Sequence, residues 1–179
     1  MGKPKSLYII DGSSYIFRAY FGIRQFLSTS TGFPTNALYG FINMLQKVVK
    51  DEQPDHLCVA FDSKEKTFRH DIYPEYKANR DAPPEDLVKQ FPFFEPLVAA
   101  YNISSLRVPG FEADDIIGTL AQKGAKAGYN VVIVSGDKDM MQLVSPEVQI
   151  LDTMKNKWFG TKEVEEKFGV PPEKVIEVM

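Results

Sequence analysis

Apolar residues fall in short unbroken runs, and three of these runs end beside an acid. Leu7-Tyr8-Ile9-Ile10 leads to Asp11, Leu57-Cys58-Val59-Ala60-Phe61 to Asp62, and Val131 to Val134 to Ser135-Gly136-Asp137. Runs without polar alternation predict strands covered on both faces, as in a parallel sheet. Ile103 to Val108 and Val148 to Leu151 predict two more short strands. Between these runs the period lengthens. Leu38, Phe41, Ile42, Leu45, Val48 and Val49 recur at helical spacing, and Asp51 to Pro54 end that helix. Leu87, Val88, Phe91, Phe94, Leu97 and Val98 form a second stripe, in which Pro92 and Pro96 predict a kink or a division. Ile116, Ile117 and Leu120 mark a third helix over residues 112–126. A short helix over 15–21 is expected to be capped by Ser13 or Ser14, another starts near Thr161 and Glu163, and Pro171-Pro172-Glu173 reads as a further N-terminus. The alternation predicts an α/β fold with a mainly parallel central sheet flanked by helices. No repeat, linker or low-complexity tract divides the chain, so residues 1–179 read as one domain.

A parallel sheet brings the C-terminal ends of its strands to one edge. Asp11, Asp62, Asp137 and Asp139 follow strands, while Glu112, Asp114 and Asp115 open a helix beside them. Each alone has a plainer reading as a turn former, a cap or a charge bias at a helix start. Together they predict one dense carboxylate pocket. Two like charges about 4 Å apart repel by roughly 4 kcal/mol at an effective dielectric near 20, so such a pocket calls for cations. With two histidines and one cysteine in the chain, ligation is by oxygen, which selects Mg²⁺, with Mn²⁺ as a substitute. Asp11, Asp62, Glu112 and Asp114 could hold a first ion and Asp137 with Asp139 a second, with Asp114 or Asp115 between them. Two such ions suit hydrolysis of a phosphate ester by in-line displacement. Neither Ser13 nor Ser14 has a base placed to make it a nucleophile.

Charge refines this picture. The net charge is −3, and the seven clustered acids more than account for it; the remainder of the chain is positive. Residues 64–84 interleave Lys64, Lys66, Arg69, Lys77 and Arg80 with Phe68, Tyr73 and Tyr76, but also carry four acids. They read either as a solvated irregular connection or as a mobile arch whose cations grip phosphates while a ring stacks on a base. No apolar run approaches the roughly 20 residues of a membrane span, and no partner in a membrane is expected. The single cysteine, Cys58, lies in a predicted strand as a core thiol, which fits a cytoplasmic protein.

Several stretches carry a family resemblance. They are Ile10-Asp11-Gly12-Ser13 with Arg18-Ala19-Tyr20, Gly32 to Ala37 with Tyr39-Gly40-Phe41, Ala60-Phe61-Asp62, Phe68-Arg69, Tyr76 to Arg80, Gly110 to Asp115 and Ser135 to Asp139. In order and over nearly the whole chain they resemble the 5′→3′ exonuclease domain of bacterial DNA polymerase I, related to the flap endonucleases and more distantly to PIN-like nucleases. The resemblance implies a PIN-like 5′ nuclease core with an arch for a 5′ single strand. It implies Mg²⁺-dependent hydrolysis of DNA phosphodiesters at 5′ flaps and ends. Asp11, Asp62 and Asp114 would then serve catalysis through the metal, with Lys77 and Arg80 on the scissile phosphate. Arg18 and Arg69 look like further phosphate ligands, and Tyr76 like a stacking platform. The family continues into a helix–turn–helix element that grips duplex DNA and adds acids to the second metal site. The expectation is therefore a chain cut short at its C-terminus, with a second site left incomplete and a polymerase domain possible in the parent protein.

Two other readings stand beside it. One is a nucleic-acid-binding fragment or scaffold with weak catalysis. The other is a small-molecule phosphatase with an aspartyl intermediate, disfavoured because Ser13 stands where that class places a second aspartate after Asp11.

Overall fold

The computed structural model describes residues 4–23, 25, 27–79 and 81–179. Six strands form one sheet in the order β3-β2-β1-β4-β5-β6. They are β1 (Ser6–Asp11), β2 (His56–Ala60), β3 (Ser104–Leu106), β4 (Asn130–Val134), β5 (Val148–Asp152) and β6 (Lys157–Phe159). All neighbours are parallel except β5 and β6. The unbroken apolar runs have a simple cause, since successive side chains of a strand point to opposite faces and both faces are covered. Tyr8, Ile10, Val59, Phe61, Val132 and Val134 pack under α1 (Gly12–Gly22), α2 (Asn36–Glu52) and α4 (Glu85–Ala100). Ile9, Cys58, Ala60, Val131 and Ile133 pack on the other face under α5 (Ala113–Lys126) and α6 (Thr161–Phe168). Cys58 is a core thiol, its pKa pushed up to about 11 by burial.

Local details depart from the sequence reading in five places. Helix α1 is capped by Asp11, whose carboxylate accepts from Ser14 N–H at 2.9 Å; neither serine is the cap. Helix α4 runs through Pro92 and Pro96 without division. The two prolines stand four apart and exposed, while Leu87, Gln90, Phe94 and Val98 form the buried stripe. The carbonyls that lose a donor therefore belong to exposed residues and can be met by water. Buried Gln90 adds a tie, accepting from Leu38 N–H and donating to Asn36 and Asp86, so that α4 is stitched to the start of α2. Residues 64–84 are neither wholly irregular nor one continuous helix; they hold the short helix α3 (Phe68–Ile72). After β4 a 3₁₀ helix spans Lys138–Leu143 where a turn was expected, and β6, three residues long, was not anticipated. A final short helix, α7 (Val175–Val178), follows the proline pair. Among the described residues, no helix is long and apolar enough to cross a membrane.

Gly12 fixes how closely α1 approaches β2. A Cβ there would stand 2.6 Å from both Phe61 and Val59 side chains and 2.8 Å from the Ala60 carbonyl. Gly12→Ala should cost about 1–3 kcal/mol through overpacking. Gly118, inside α5, would meet only Leu143 at an ordinary 3.6 Å, so Gly118→Ala should gain roughly 0.5–1 kcal/mol. Urea unfolding midpoints of the two variants should move in opposite directions.

Candidate metal centre

The sheet order reverses between β1 and β4, and the crevice outside their C-terminal ends is the natural site in such a sheet. Asp11 closes β1 and is 4% exposed. One carboxylate oxygen caps α1, and the other accepts from Ser135 Oγ at 2.9 Å. Burial raises its pKa, and the charges of Asp62 and Asp137 raise it further, against the lowering hydrogen bonds from Ser14 and Ser135. Asp62, past the end of β2, accepts from Ala113 N–H at 2.8 Å, the first turn of α5, and its own N–H donates to Ser13 Oγ. Asp137 follows β4 and caps the 3₁₀ helix by accepting from Asp139 N–H at 2.9 Å.

Asp114 is the most perturbed acid. The residue as a whole is exposed. Its carboxyl is nonetheless crowded: partial burial first, then the charges of Asp11, Asp62 and Asp137, push its pKa up to about 7, while Lys77 pulls the other way. Asp11, Asp62, Asp114 and Asp137 therefore form one electrostatic group, four of the seven acids expected to share a pocket.

Glu112 and Asp115 are held differently. Lys77 Nζ donates to Glu112 at 2.7 Å, and Tyr76 hydroxyl donates to its other oxygen at 3.1 Å. Arg69 donates through both terminal nitrogens to Asp115, each at 2.8 Å. That bidentate bond holds the Asp115 carboxyl below the usual range. Three residues expected to face DNA thus rest on two residues expected to face metal. Asp139 is exposed, and Arg80 lies outside the described residues. Arg18 lies against Gly136, where a Cβ would fall 1.7 Å from its Nη2. Its Nη1 is buried without a hydrogen-bond partner, 3.5 Å from Asp152.

Sequence reasoning missed three members of this edge. Ser135, 1% exposed, bridges Asp11 to Asp137, accepting from the Asp137 N–H at 3.1 Å. Asp152 ends β5 at the same edge and is 4% exposed. It follows an apolar run as Asp11 does, which was the available signal. Arg107 donates to the Asp62 carbonyl and to Glu95, fixing the loop that carries Asp62; nothing in its sequence neighbourhood marks it.

The donor set fits a hard divalent cation, because it is all carboxylate oxygen, and burial together with mutual repulsion already favours protonation of Asp114. Among the described residues, no three acid, histidine or cysteine side chains stand as a group that could hold an ion.

Comparison with known proteins places the chain in a family. The family model of the 5′-3′ exonuclease, N-terminal resolvase-like domain, matches residues 6–169. DNA polymerase I of Rhizobium leguminosarum is 46% identical over 185 residues, covering 99% of this chain and 18% of that protein. A 5′-3′ exonuclease of Aquifex aeolicus (strain VF5) is 45% identical over 171 residues, covering 96% of this chain and 59% of that protein. The chain thus spans less than two thirds of either relative. A bacteriophage T5 flap endonuclease, solved with DNA and metal ions, shares the fold with a TM-score of 0.72 at 20% identity, over 96% of this chain and 64% of that one.

The crowding of Asp114 has a measurable sign. Folding lifts its pKa from 3.8 to about 7, so the folded chain binds more protons between those values and metal-free stability falls as pH rises through that window. In EDTA, Asp114→Asn should melt above the unsubstituted protein at pH 8, and the difference should shrink towards pH 5. A difference that does not change with pH would mean that the four carboxylates do not share a field.

Proposed function

We propose, for a chain that belongs to the 5′-3′ exonuclease family through its N-terminal resolvase-like domain, that residues 1–179 are the catalytic core of a metal-dependent, structure-specific 5′ nuclease. It would hydrolyse DNA phosphodiesters at 5′ flaps and 5′ ends, in the cytoplasm, during replication and repair. In the parent protein a polymerase domain would be its covalent partner. The observation that carries this reading is the mutual repulsion of Asp11, Asp62, Asp114 and Asp137 at one sheet edge, beside Lys77 and Arg69.

Asp11, Asp62, Glu112 and Asp114 would hold a first Mg²⁺ and Asp137 with Asp139 a second, with Asp115 or Asp114 between. The ions would supply activation of water and neutralisation of charge on the leaving oxygen. The chain's own part is positioning. Lys77 and Arg69 sit within hydrogen-bond reach of the acids, so a phosphate entering the crevice meets donors already at its rim. Arg18 brings an unpartnered buried Nη1 to the other side, beside Gly136. Tyr76, with Lys77 Nζ 5.2 Å from its ring centroid, offers a face on which a base could stack. Arg80 would join Lys77 on the scissile phosphate.

One observation favours a second reading, a DNA-binding fragment with weak catalysis: Lys77 and Arg69 already occupy Glu112 and Asp115, two of the candidate metal ligands. A flap substrate labelled at its 5′ end separates the two. Product should appear with Mg²⁺ or Mn²⁺ and not in EDTA. Asp62→Ala and Asp114→Ala should each lose more than the roughly 10–100-fold typical of a metal's outer-shell partners. Binding in Ca²⁺ without cutting in Mg²⁺ or Mn²⁺ would favour the second reading, and cutting as fast in EDTA as in Mg²⁺ would sink the metal mechanism.

A further inference from the structure

A second charged surface flanks the acidic centre. Lys155 lies in the turn between β5 and β6, Lys157 opens β6, Lys167 is in the last turn of α6, and Lys138 starts the 3₁₀ helix after Asp137. All four are exposed. Lys157 and Lys167 hold their ammonium groups over one ring, 5.0 and 5.4 Å from the Phe159 centroid, and Lys167 is also 5.0 Å from that of Phe168. Burial first, then the charges of Lys155, Lys157 and Lys138, hold the Lys167 ammonium below its usual pKa, which places four like charges in one field.

The neighbouring acids relieve them only in part. Asp152 pairs with Lys155 Nζ at 3.6 Å, but it also accepts from the N–H groups of Met154 and Lys155 and stands 3.5 Å from Arg18. Glu163 turns back onto Gly160 N–H at 2.9 Å, and Glu166 faces Lys162 at 3.7 Å. Among the described residues, no carboxylate pairs with Lys138, Lys157 or Lys167. Lys167 Nζ instead reaches the Met141 sulfur at 3.5 Å. A chain with a net charge of −3 thus gathers four lysines around one carboxylate partner here.

Position suggests what neutralises them. Ile10, Val134 and Leu151 are in register, so the hairpin that follows Asp152 rises from the same sheet edge as Asp11. Two strand spacings set β5 about 10 Å from β1. The floor is rigid, since Phe159 is 4% exposed and Val164 of α6 is fully buried. A duplex presents one negative charge per roughly 1.7 Å of axis, a density that several clustered ammonium groups match.

We propose that Lys138, Lys155, Lys157 and Lys167 form a docking surface for the phosphate backbone of the DNA duplex attached to the scissile strand, with Phe159 and Phe168 as its floor. The choice of occupant rests on the nuclease reading; the surface itself rests on geometry and charge. The surface orients the duplex, and the acids and Lys77 act on the strand that leaves it.

The test uses the 179-residue chain, a 20-base-pair duplex with a 5′ flap, and the flap strand alone. Binding is followed by fluorescence anisotropy in Ca²⁺ over a series of KCl concentrations, and cutting is followed separately in Mg²⁺. Lys155→Ala/Lys157→Ala/Lys167→Ala should weaken duplex binding by at least about 10-fold at low salt and flatten the salt slope by about 2–3, at roughly 0.9 per lost phosphate contact. The rate at saturating DNA should stay within about twofold, and binding of the flap strand alone should change least. Arginine at all three positions should restore duplex binding. Lys123→Ala/Lys126→Ala, at the far end of α5, should change nothing. Lys138 is left intact because it sits between two candidate metal ligands. Lys157→Glu gives the same reading should the triple variant melt early. Unchanged duplex affinity and slope in the triple variant would overturn the proposal, as would loss of binding to anionic vesicles with DNA binding intact. A protein that binds the duplex through these lysines but never cuts would refute the nuclease reading and leave the surface standing. One that cuts with an unaltered KM in the triple variant would do the reverse.

Discussion

Repulsion among four carboxylates, three following parallel strands and one in the first turn of α5, is the constraint around which this edge of the molecule is arranged. Asp11, Asp62, Asp114 and Asp137 share one field; burial first, and then that field, raises the pKa of Asp11 and pushes that of Asp114 to about 7. The chain meets it with fixed donors: Ser14 and Ala113 N–H groups, the Ser135 hydroxyl and the Asp139 N–H each take one acid. These same bonds start helices, since Asp11 caps α1 and Asp62 binds the first turn of α5. The acids are therefore structural partners before they are ligands, and a substitution at Asp11 removes a helix cap together with a charge.

Much of this was legible because the strand runs end where the acids stand. The parallel sheet and the shared edge of Asp11, Asp62 and Asp137 follow from apolar runs and the geometry of a parallel sheet, and Asp114 from the helix start beside them. The local caps were not legible, because Asp11, Ser13 and Ser14 are all good caps and only packing chooses between them. Nor was the continuity of α4, because a proline's effect depends on whether the carbonyl it deprives meets water. Asp152 stood in the same pattern as Asp11 and was overlooked, since its run is short and the following β6 carries no repeat long enough to show a period. Arg107 and Ser135 act through contacts made across the fold, of which a local pattern holds no trace.

Charge in this molecule is arranged by flank rather than by sum. The acidic crevice lies over β1 and β4, Lys77 and Arg69 rim it on the side of the β2 loop, and the lysine group stands beyond β5. Arg18 stands between the acids and the lysine group, resting on Gly136 while it approaches Asp152. A polyanion following this order would meet cations, then the acids, then cations again. The net charge of −3 conceals that alternation entirely.

The resting contacts of Lys77 bear on how such a crevice turns from self-neutralised to receptive. Lys77 adopts φ +58, a left-handed backbone that a lysine takes up only when its surroundings require it. Its ammonium is bound to Glu112 at 2.7 Å, and Glu112 is 7% exposed and also held by Tyr76. A buried carboxylate stripped of its cation would cost several kcal/mol, so Lys77 can leave Glu112 only as another positive charge arrives there. Glu112 cannot serve Lys77 and a metal at full strength together. On the proposed function, occupation of the acids and release of Lys77 towards a phosphate would thus be opposite faces of one exchange of charge. The same argument applies, more weakly, to Arg69 on the less buried Asp115.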